Sequence, residues 1–250
     1  MAAAHIEQIN SLQNSLVKSV RKAIARGSHT EDGLVLAEGF HLLEEASRSA
    51  EVEVIIATAS ALSKASKVAK RLVEVPDWLF QEIAGTEAPQ GILSLVRLPT
   101  WDPATVWAAN ALVLVLDGVQ DPGNAGTMLR AAEAFGATGV LALKGTVDLA
   151  NPKVVRASAG SLFRIPTLRG TAEDIKAPAF AAAGEAAAPA HKVDWRGPCA
   201  LIIGSEGHGV SGPLRKLAKS VRIPTQGVES LNAGVAAAVL LYEASRQRGE

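Results

Sequence analysis

Ala111-Leu-Val-Leu-Val-Leu-Asp-Gly-Val-Gln-Asp-Pro-Gly-Asn-Ala-Gly126 is the stretch that decides how this chain is read. Ala111–Leu116 is a continuous apolar run, the pattern of a strand buried on both faces. Pro122, Gly123 and Gly126 then shape a tight polar turn, and Ala125–Ala134 reads as a helix. Val140–Leu143 is the next strand. Two further strand–loop units lie downstream. Ala200–Ile203 runs into Gly204-Ser-Glu-Gly-His-Gly209. Val221–Ile223 runs into Ile223-Pro-Thr-Gln-Gly-Val-Glu-Ser-Leu-Asn232, and Val235–Ser245 is a closing helix. Strand, loop, helix, strand predicts a parallel α/β sheet, whose ligands bind beyond the carboxyl ends of the strands.

Upstream, the first hundred residues alternate as well. Asn14–Arg26 carries Leu16, Val17, Val20 and Ile24 at helical spacing and ends at Gly27. Leu34–Ala37 and Val52–Ala57 read as strands, with a helix through Leu42, Leu43 and Ala46 between them. Ser60–Leu72, bearing Lys64, Lys67, Lys70 and Arg71, reads as helix, and Gly91–Val96 as a further strand. Pro99-Thr-Trp-Asp-Pro103 breaks both patterns. The expected layout is a first domain over 1–98, a linker over 99–107 and a second domain over 108–250. The Ala-rich stretch Ala177–Ala190 reads as a short helix or loop without chemistry.

The chain has 250 residues, 48% of them apolar and 20% charged, with a formal net charge of zero, so it reads as a globular protein. Zero charge removes any global argument for a nucleic-acid partner, and local patches must supply one. Cys199 is the one cysteine; behind Gly197 and Pro198 it reads as a buried, inert thiol, which fits a reducing compartment. Met1–Asn10 lacks a signal-peptide core, and no apolar run has the length to span a bilayer, so the expected location is cytoplasmic. No second His or Cys stands near His208 at ligand spacing, so no metal is expected.

Each loop offers an ordinary reading beside a chemical one. Asn124 suits a helix cap. Arg130, six residues on and among Met128, Leu129, Ala131, Ala132 and Ala134, is either a snorkelling surface residue or a functional one reaching towards the strand ends. Ser230 and Asn232 suit an N-cap pair, but Leu231 between them points an apolar side chain into a ligand-facing loop. Gly207-His-Gly209-Val-Ser-Gly212 satisfies the dinucleotide pattern G-x-G-x-x-G, with Glu229 near the ribose-acid distance. Roughly forty residues follow it, too few for the rest of a doubly wound nucleotide domain.

Taken in order, Asn124-x-Gly126-x-x-x-Arg130, Gly204-x-Glu206-Gly207-x-Gly209 and Ile223-Pro224 with Ser230-Leu231-Asn232 resemble the three motifs of the SpoU/TrmH family of RNA ribose 2′-O-methyltransferases. Lys153-Val-Val-Arg156-Ala-Ser-Ala-Gly160-Ser-Leu-Phe163-Arg-Ile-Pro166 also looks like the family's. Leu36-Ala-Glu38-Gly39 and Pro89-Gln-Gly91 are similar to its accessory RNA-binding domain. The sequence departs at Thr225, where methionine is commoner, and at Gly234, where serine is commoner.

The resemblance implies a small α/β RNA-binding domain followed by an α/β trefoil-knot methyltransferase domain, a homodimer with active sites across the interface, and S-adenosylmethionine as cofactor. It implies that Arg130 assists deprotonation of the 2′-hydroxyl, while Asn124, Glu206, Ser230 and Asn232 fix the geometry. Because arginine rarely loses its proton, Arg130 is expected to orient the ribose and its phosphate and to stabilise the developing oxyanion rather than to act as a literal base. Gly204, Glu206, Gly207, Ile223, Ser230, Leu231 and Asn232 would hold the cofactor. Phosphate contacts are expected at Lys18, Arg21, Lys22 and Arg156, without aromatic stacking. The expected substrate is ribosomal RNA. Alternatives are transfer RNA, a silent RNA-binding protein, and a nicotinamide-dependent oxidoreductase resting on Gly207–Gly212.

Overall fold

The computed structural model describes residues 6–65, 69–186 and 188–249. The chain runs β1 (Ile6–Gln8), α1 (Ser15–Arg26), β2 (Val35–Glu38), α2 (Phe40–Ser49), β3 (Glu51–Ala57), α3 (Ala59–Leu62), β4 (Arg71–Glu74), α4 (Asp77–Ile83) and β5 (Ile92–Arg97). It continues α5 (Pro103–Val106), β6 (Leu112–Asp117), α6 (Pro122–Ala134), β7 (Gly139–Leu143), α7 (Pro152–Ala157), β8 (Thr167–Gly170) and β9 (Ala179–Ala182). Last come β10 (Ala188–Pro189), β11 (Cys199–Gly204), α8 (Gly212–Leu217), β12 (Lys219–Arg222) and α9 (Ala233–Arg248). Contacts group the chain into two units. One holds the residues up to Thr100 together with Asp148–Arg164, a stretch that the sequence reading kept within 108–250; the other holds Trp101–Val147 and Ile165 onward.

The first unit is a five-stranded sheet of order β1-β4-β3-β5-β2. Asn14 caps α1 by accepting from the Leu16 N–H at 2.9 Å, and Gly27 closes it at φ 61°, the left-handed end that glycine adopts without strain. Val17, Val20 and Ala23 of α1 join Leu79, Phe80 and Ile83 of α4 over Leu36, Ile56, Val73 and Leu95 of the sheet. The Ser60–Leu72 helix is corrected. Among the described residues of that stretch only Ala59–Leu62 is helical, and Arg71–Glu74 forms β4, with Leu72 and Val73 paired to Ile55 and Ile56. Burying those two residues in the sheet outweighs the weak helical pattern of a lysine-rich segment. Lys67 lies outside the described residues.

The second unit is a seven-stranded sheet of order β10-β12-β9-β11-β6-β7-β8, with every pair parallel. Leu112–Leu116 are fully buried, as an apolar run in the sheet centre requires. The chain leaves β6 towards β7 and β8, then returns to the other side, so β6 and β11 meet at the switch point. The Ala177–Ala190 reading is also corrected. Ala179–Ala182 is β9, between β11 and β12, with Phe180 against Trp195 at 4.8 Å between ring centroids. Alanine is a poor strand former, and this site admits it because Ala181 is fully buried between neighbouring strands.

The far end of α9 is fastened to the amino ends of the central strands. Arg248 donates from Nε to the Trp195 carbonyl at 2.9 Å and from Nη1 to Asn110 at 2.8 Å. Its Nη2 reaches the carbonyls of Ala111 at 3.2 Å and Gly197 at 2.6 Å. Cys199 is free and buried beside it, and burial pushes its thiol above the usual range. Arg248→Ala is expected to lose about 2–3 kcal/mol, because carbonyls satisfied by a charged donor are left unpaired. Arg248→Lys, lacking the planar fork, should recover little of it. Urea unfolding measures both, and alkylation of the Cys199 thiol, which is buried in the native protein, is expected to report the same transition. Wild-type unfolding of Arg248→Ala would dismiss the clamp.

Candidate active site

Three loops rise from the carboxyl ends of β6, β11 and β12. At the first, the N-cap of α6 is Asp121, whose carboxylate accepts from the Asn124 N–H at 2.6 Å, with Pro122 in the first helical turn. The capping reading of Asn124 is thereby corrected, and its side chain is available for other work. Asn124 Nδ2 donates to Glu206 Oε1 in the second loop. Asn124 Oδ1 accepts from Asn232 Nδ2 in the third, at 3.0 Å. Asn232 is itself the cap of α9, accepting from the N–H groups of Gly234 at 2.9 Å and Val235 at 3.2 Å. One side-chain relay thus joins all three loops to a helix N-terminus.

The second loop depends on glycine. The end of β11 lies so close to the returning loop that a Cβ on Gly204 would stand 2.0 Å from the Gly209 carbonyl carbon and 2.1 Å from the Val210 nitrogen. Gly209 takes φ 63° and accepts a backbone turn, its N–H donating to the Ser205 carbonyl at 2.8 Å. The neighbouring strand is tied in as well, because Asp117 Oδ2 accepts from the Ser211 N–H at 2.6 Å. Gly207 and Gly212 have open space around a would-be Cβ. The crowding that makes glycine necessary in a dinucleotide fingerprint is absent there, and α8 behind it has six residues.

A cavity of about 620 Å³ opens between these loops. Ile203, Val221 and Leu240 form buried apolar wall, and Gly204, Glu206, Ile223, Ser230, Leu231 and Asn232 all line it. Gly207, expected among the cofactor contacts, does not line it. Arg130 does not line it either. It stands exposed on α6, with no hydrogen bond or ion pair among the described residues. The sequence reading missed the turn after β9, where Ala183, Gly184 and Glu185 line the cavity, and also Arg215 on α8. Pro178 and Gly184 bracketing an apolar stretch were the one signal for the former. Thr225 lines the cavity and donates to the Val228 carbonyl at 2.8 Å, closing its own loop. At Gly234 a Cβ would sit 3.2 Å from Asn232 Oδ1 and 3.4 Å from Asn124 Oδ1, so glycine leaves the relay uncrowded.

The expected RNA contacts lie in the first unit. Arg21 faces Glu82 at 3.8 Å and Lys22 pairs with Glu31, both exposed, while Lys18 has no ion pair among the described residues. Arg156 Nη1 donates to the Gly85 carbonyl at 3.3 Å. Exposed pairs of this kind contribute little to stability and exchange readily for other anions. Among the described residues no group of His, Cys, Asp and Glu is arranged to hold a metal, and no helix is long and apolar enough to cross a membrane.

Residues 111–242 match the SpoU rRNA Methylase family, and residues 14–94 match the MRM3-like substrate binding domain. The chain belongs to the SpoU rRNA methylase family. It is 34% identical to the 23S rRNA (guanosine(2553)-2′-O)-methyltransferase RlmP of Bacillus subtilis, over 95% of this chain and 98% of that one. An AdoMet-bound rRNA methyltransferase from Sinorhizobium meliloti superposes with a TM-score of 0.82 at 26% identity, covering 96% of this chain and 98% of that one. The SpoU methyltransferase AviRb of Streptomyces viridochromogenes, in complex with AdoMet, gives 0.81 at 26% identity, over 94% and 98%.

Gly204→Ala is expected to lower stability by about 3 kcal/mol, since backbone rather than a flexible side chain blocks the new methyl group. Thermal unfolding checks it. Wild-type melting of that variant would mean that the loop yields and the close approach is dispensable.

Proposed function

We propose that this chain transfers a methyl group from S-adenosylmethionine to a ribose 2′-hydroxyl of ribosomal RNA. The observation that carries the reading is the Glu206–Asn124–Asn232 relay, in which Asn124 of the first motif, itself outside the cavity lining, ties together Glu206 and Asn232 on the cavity wall. The relatives' ribosomal RNA substrates favour that RNA over transfer RNA. S-adenosylmethionine, when bound, supplies an electrophilic methyl group on a sulfonium. The cavity suits it: its volume of about 620 Å³ lies in the range of small-ligand sites, and it combines apolar wall with the backbone of Gly204, Ile223 and Leu231.

Such a transfer needs in-line alignment and a 2′-oxygen relieved of its proton. Arginine rarely gives up its own proton, so Arg130 acts by orienting the ribose and its phosphate and by stabilising the oxyanion as it forms, while the 2′-proton leaves to water beside the RNA phosphate. Asn124, Glu206, Ser230 and Asn232 hold the loop geometry. Arg130 is exposed and apart from the cavity of its own chain, so it serves the cavity of a second copy in a homodimer. The exposed apolar row Val235, Val239 and Tyr242 on α9 supports that pairing, because monomers seldom leave such rows uncovered. The reading includes a cytoplasmic enzyme, a first unit that binds RNA through Lys18, Arg21, Lys22 and Arg156, and the family's trefoil-knotted path in the second.

Arg130→Ala is expected to bind S-adenosylmethionine as the wild type does and to methylate ribosomal RNA about 10²–10³-fold more slowly. Tritiated methyl transfer to 23S RNA, with the 2′-O-methyl nucleoside identified by mass spectrometry, measures it. Retained turnover would end the role given to Arg130, and transfer to a base instead of a ribose would end the reaction assignment. Val239→Glu should shift sedimentation from dimer to monomer and abolish transfer, while mixing it with Arg130→Ala should restore none. A monomeric wild type would refute the shared site.

A further inference from the structure

The cavity wall carries charges that the relay does not use. Arg215, on α8, is the one cation lining it among the described residues. Its Nη2 donates to the His208 carbonyl at 3.1 Å and lies 2.8 Å from where a Cβ of Gly209 would stand. The left-handed φ of 63° at Gly209 and the lack of a side chain there let the guanidinium rest against the loop. Its other N–H groups have no acceptor among the described residues. Two carboxylates also line the cavity, Glu185 in the turn after β9 and Glu229 in the loop after β12. Those turns touch, since a Cβ on Gly184 would lie 3.3 Å from the Glu229 carbonyl oxygen. Neither carboxylate has a hydrogen bond or ion pair among the described residues, whereas Glu206 is held by Asn124.

We infer that Arg215 binds the α-carboxylate of the cofactor's methionyl arm and that Glu185 and Glu229 bind its α-ammonium group. The inference rests on S-adenosylmethionine being the ligand of this cavity. That ligand has one anionic group, its carboxylate, and a guanidinium fork with free N–H donors is the protein group best shaped for a carboxylate. Its two positive centres, ammonium and sulfonium, match the excess of carboxylates on the wall. Transfer removes the sulfonium charge and leaves the methionyl carboxylate untouched, so Arg215 holds substrate and product alike. Interactions equal in ground and transition state change KM and leave kcat alone.

Calorimetric titration of the full chain with S-adenosylmethionine, its decarboxylated analogue and methylthioadenosine tests this. Arg215→Met is expected to bind S-adenosylmethionine about 10- to 100-fold more weakly, bind methylthioadenosine unchanged, and no longer distinguish S-adenosylmethionine from the decarboxylated analogue. Arg215→Lys should recover part of the loss, and KM should rise with kcat held. Glu229→Gln and Glu185→Gln should weaken binding of both amine-bearing ligands and leave methylthioadenosine as it was. Undiminished S-adenosylmethionine binding by Arg215→Met would overturn the inference. So would equal loss of methylthioadenosine, which would confine Arg215 to supporting the 204–209 loop. A wild type that binds methylthioadenosine but not S-adenosylmethionine would overturn it as well, and a wild type that binds none of the three would sink the methyltransferase reading beneath it.

Discussion

In the middle of the larger sheet, Leu112–Asp117 and Cys199–Gly204 lie side by side in parallel register along their whole length. Parallel strands buried on both faces have no tolerance for slippage, because a shift of one residue would exchange every side chain between layers. The register places the last pair, Asp117 and Gly204, level with one another at the carboxyl edge. From there both motif loops leave the sheet together. Asp117 can reach the Ser211 N–H only because of that alignment, and Asn124 meets Glu206 for the same reason. The cavity is therefore a product of strand register before it is a product of loop sequence.

The parts of the fold that were legible in the sequence are those with long or sharply punctuated patterns. The run Ala111–Leu116, the glycine loop after Ile203 and the closing helix announce themselves, and so does α1 between Asn14 and Gly27. Short elements did not. β4 and β9 have four residues each, too few to show a period, and three of the four in β9 are alanine, a residue that favours helices. Asp121 and Asn124 are both good caps three residues apart, and composition alone does not choose between them. Pro122 was the available clue, since proline favours the first helical turn and so points to Asp121 as the cap.

The site followed the same division. Residues of the three motifs were readable as a set, and the structure brings Asn124, Glu206 and Asn232 into direct contact. Arg215 and Glu185 were not readable, because nothing local marks them. They reach the cavity through the order of strands, β12 beside β9 beside β11, which no short window of sequence encodes. Arg130 shows the opposite case: the motif singles it out, while the structure leaves it exposed on α6 and outside the cavity lining of its own chain.

The larger sheet ends in strands that discourage growth. At one edge β10 has two residues, and one of them, Pro189, has no N–H to offer. At the other edge β8 follows Pro166 and has four residues, with an arginine at Arg169. Strand addition, the usual route by which parallel sheets recruit further chains or nucleate fibrils, meets only these short edges among the described residues. The buried apolar residues of this sheet concentrate in its central strands β11, β6 and β7, away from both edges, so growth by edge pairing is disfavoured where the apolar content is highest.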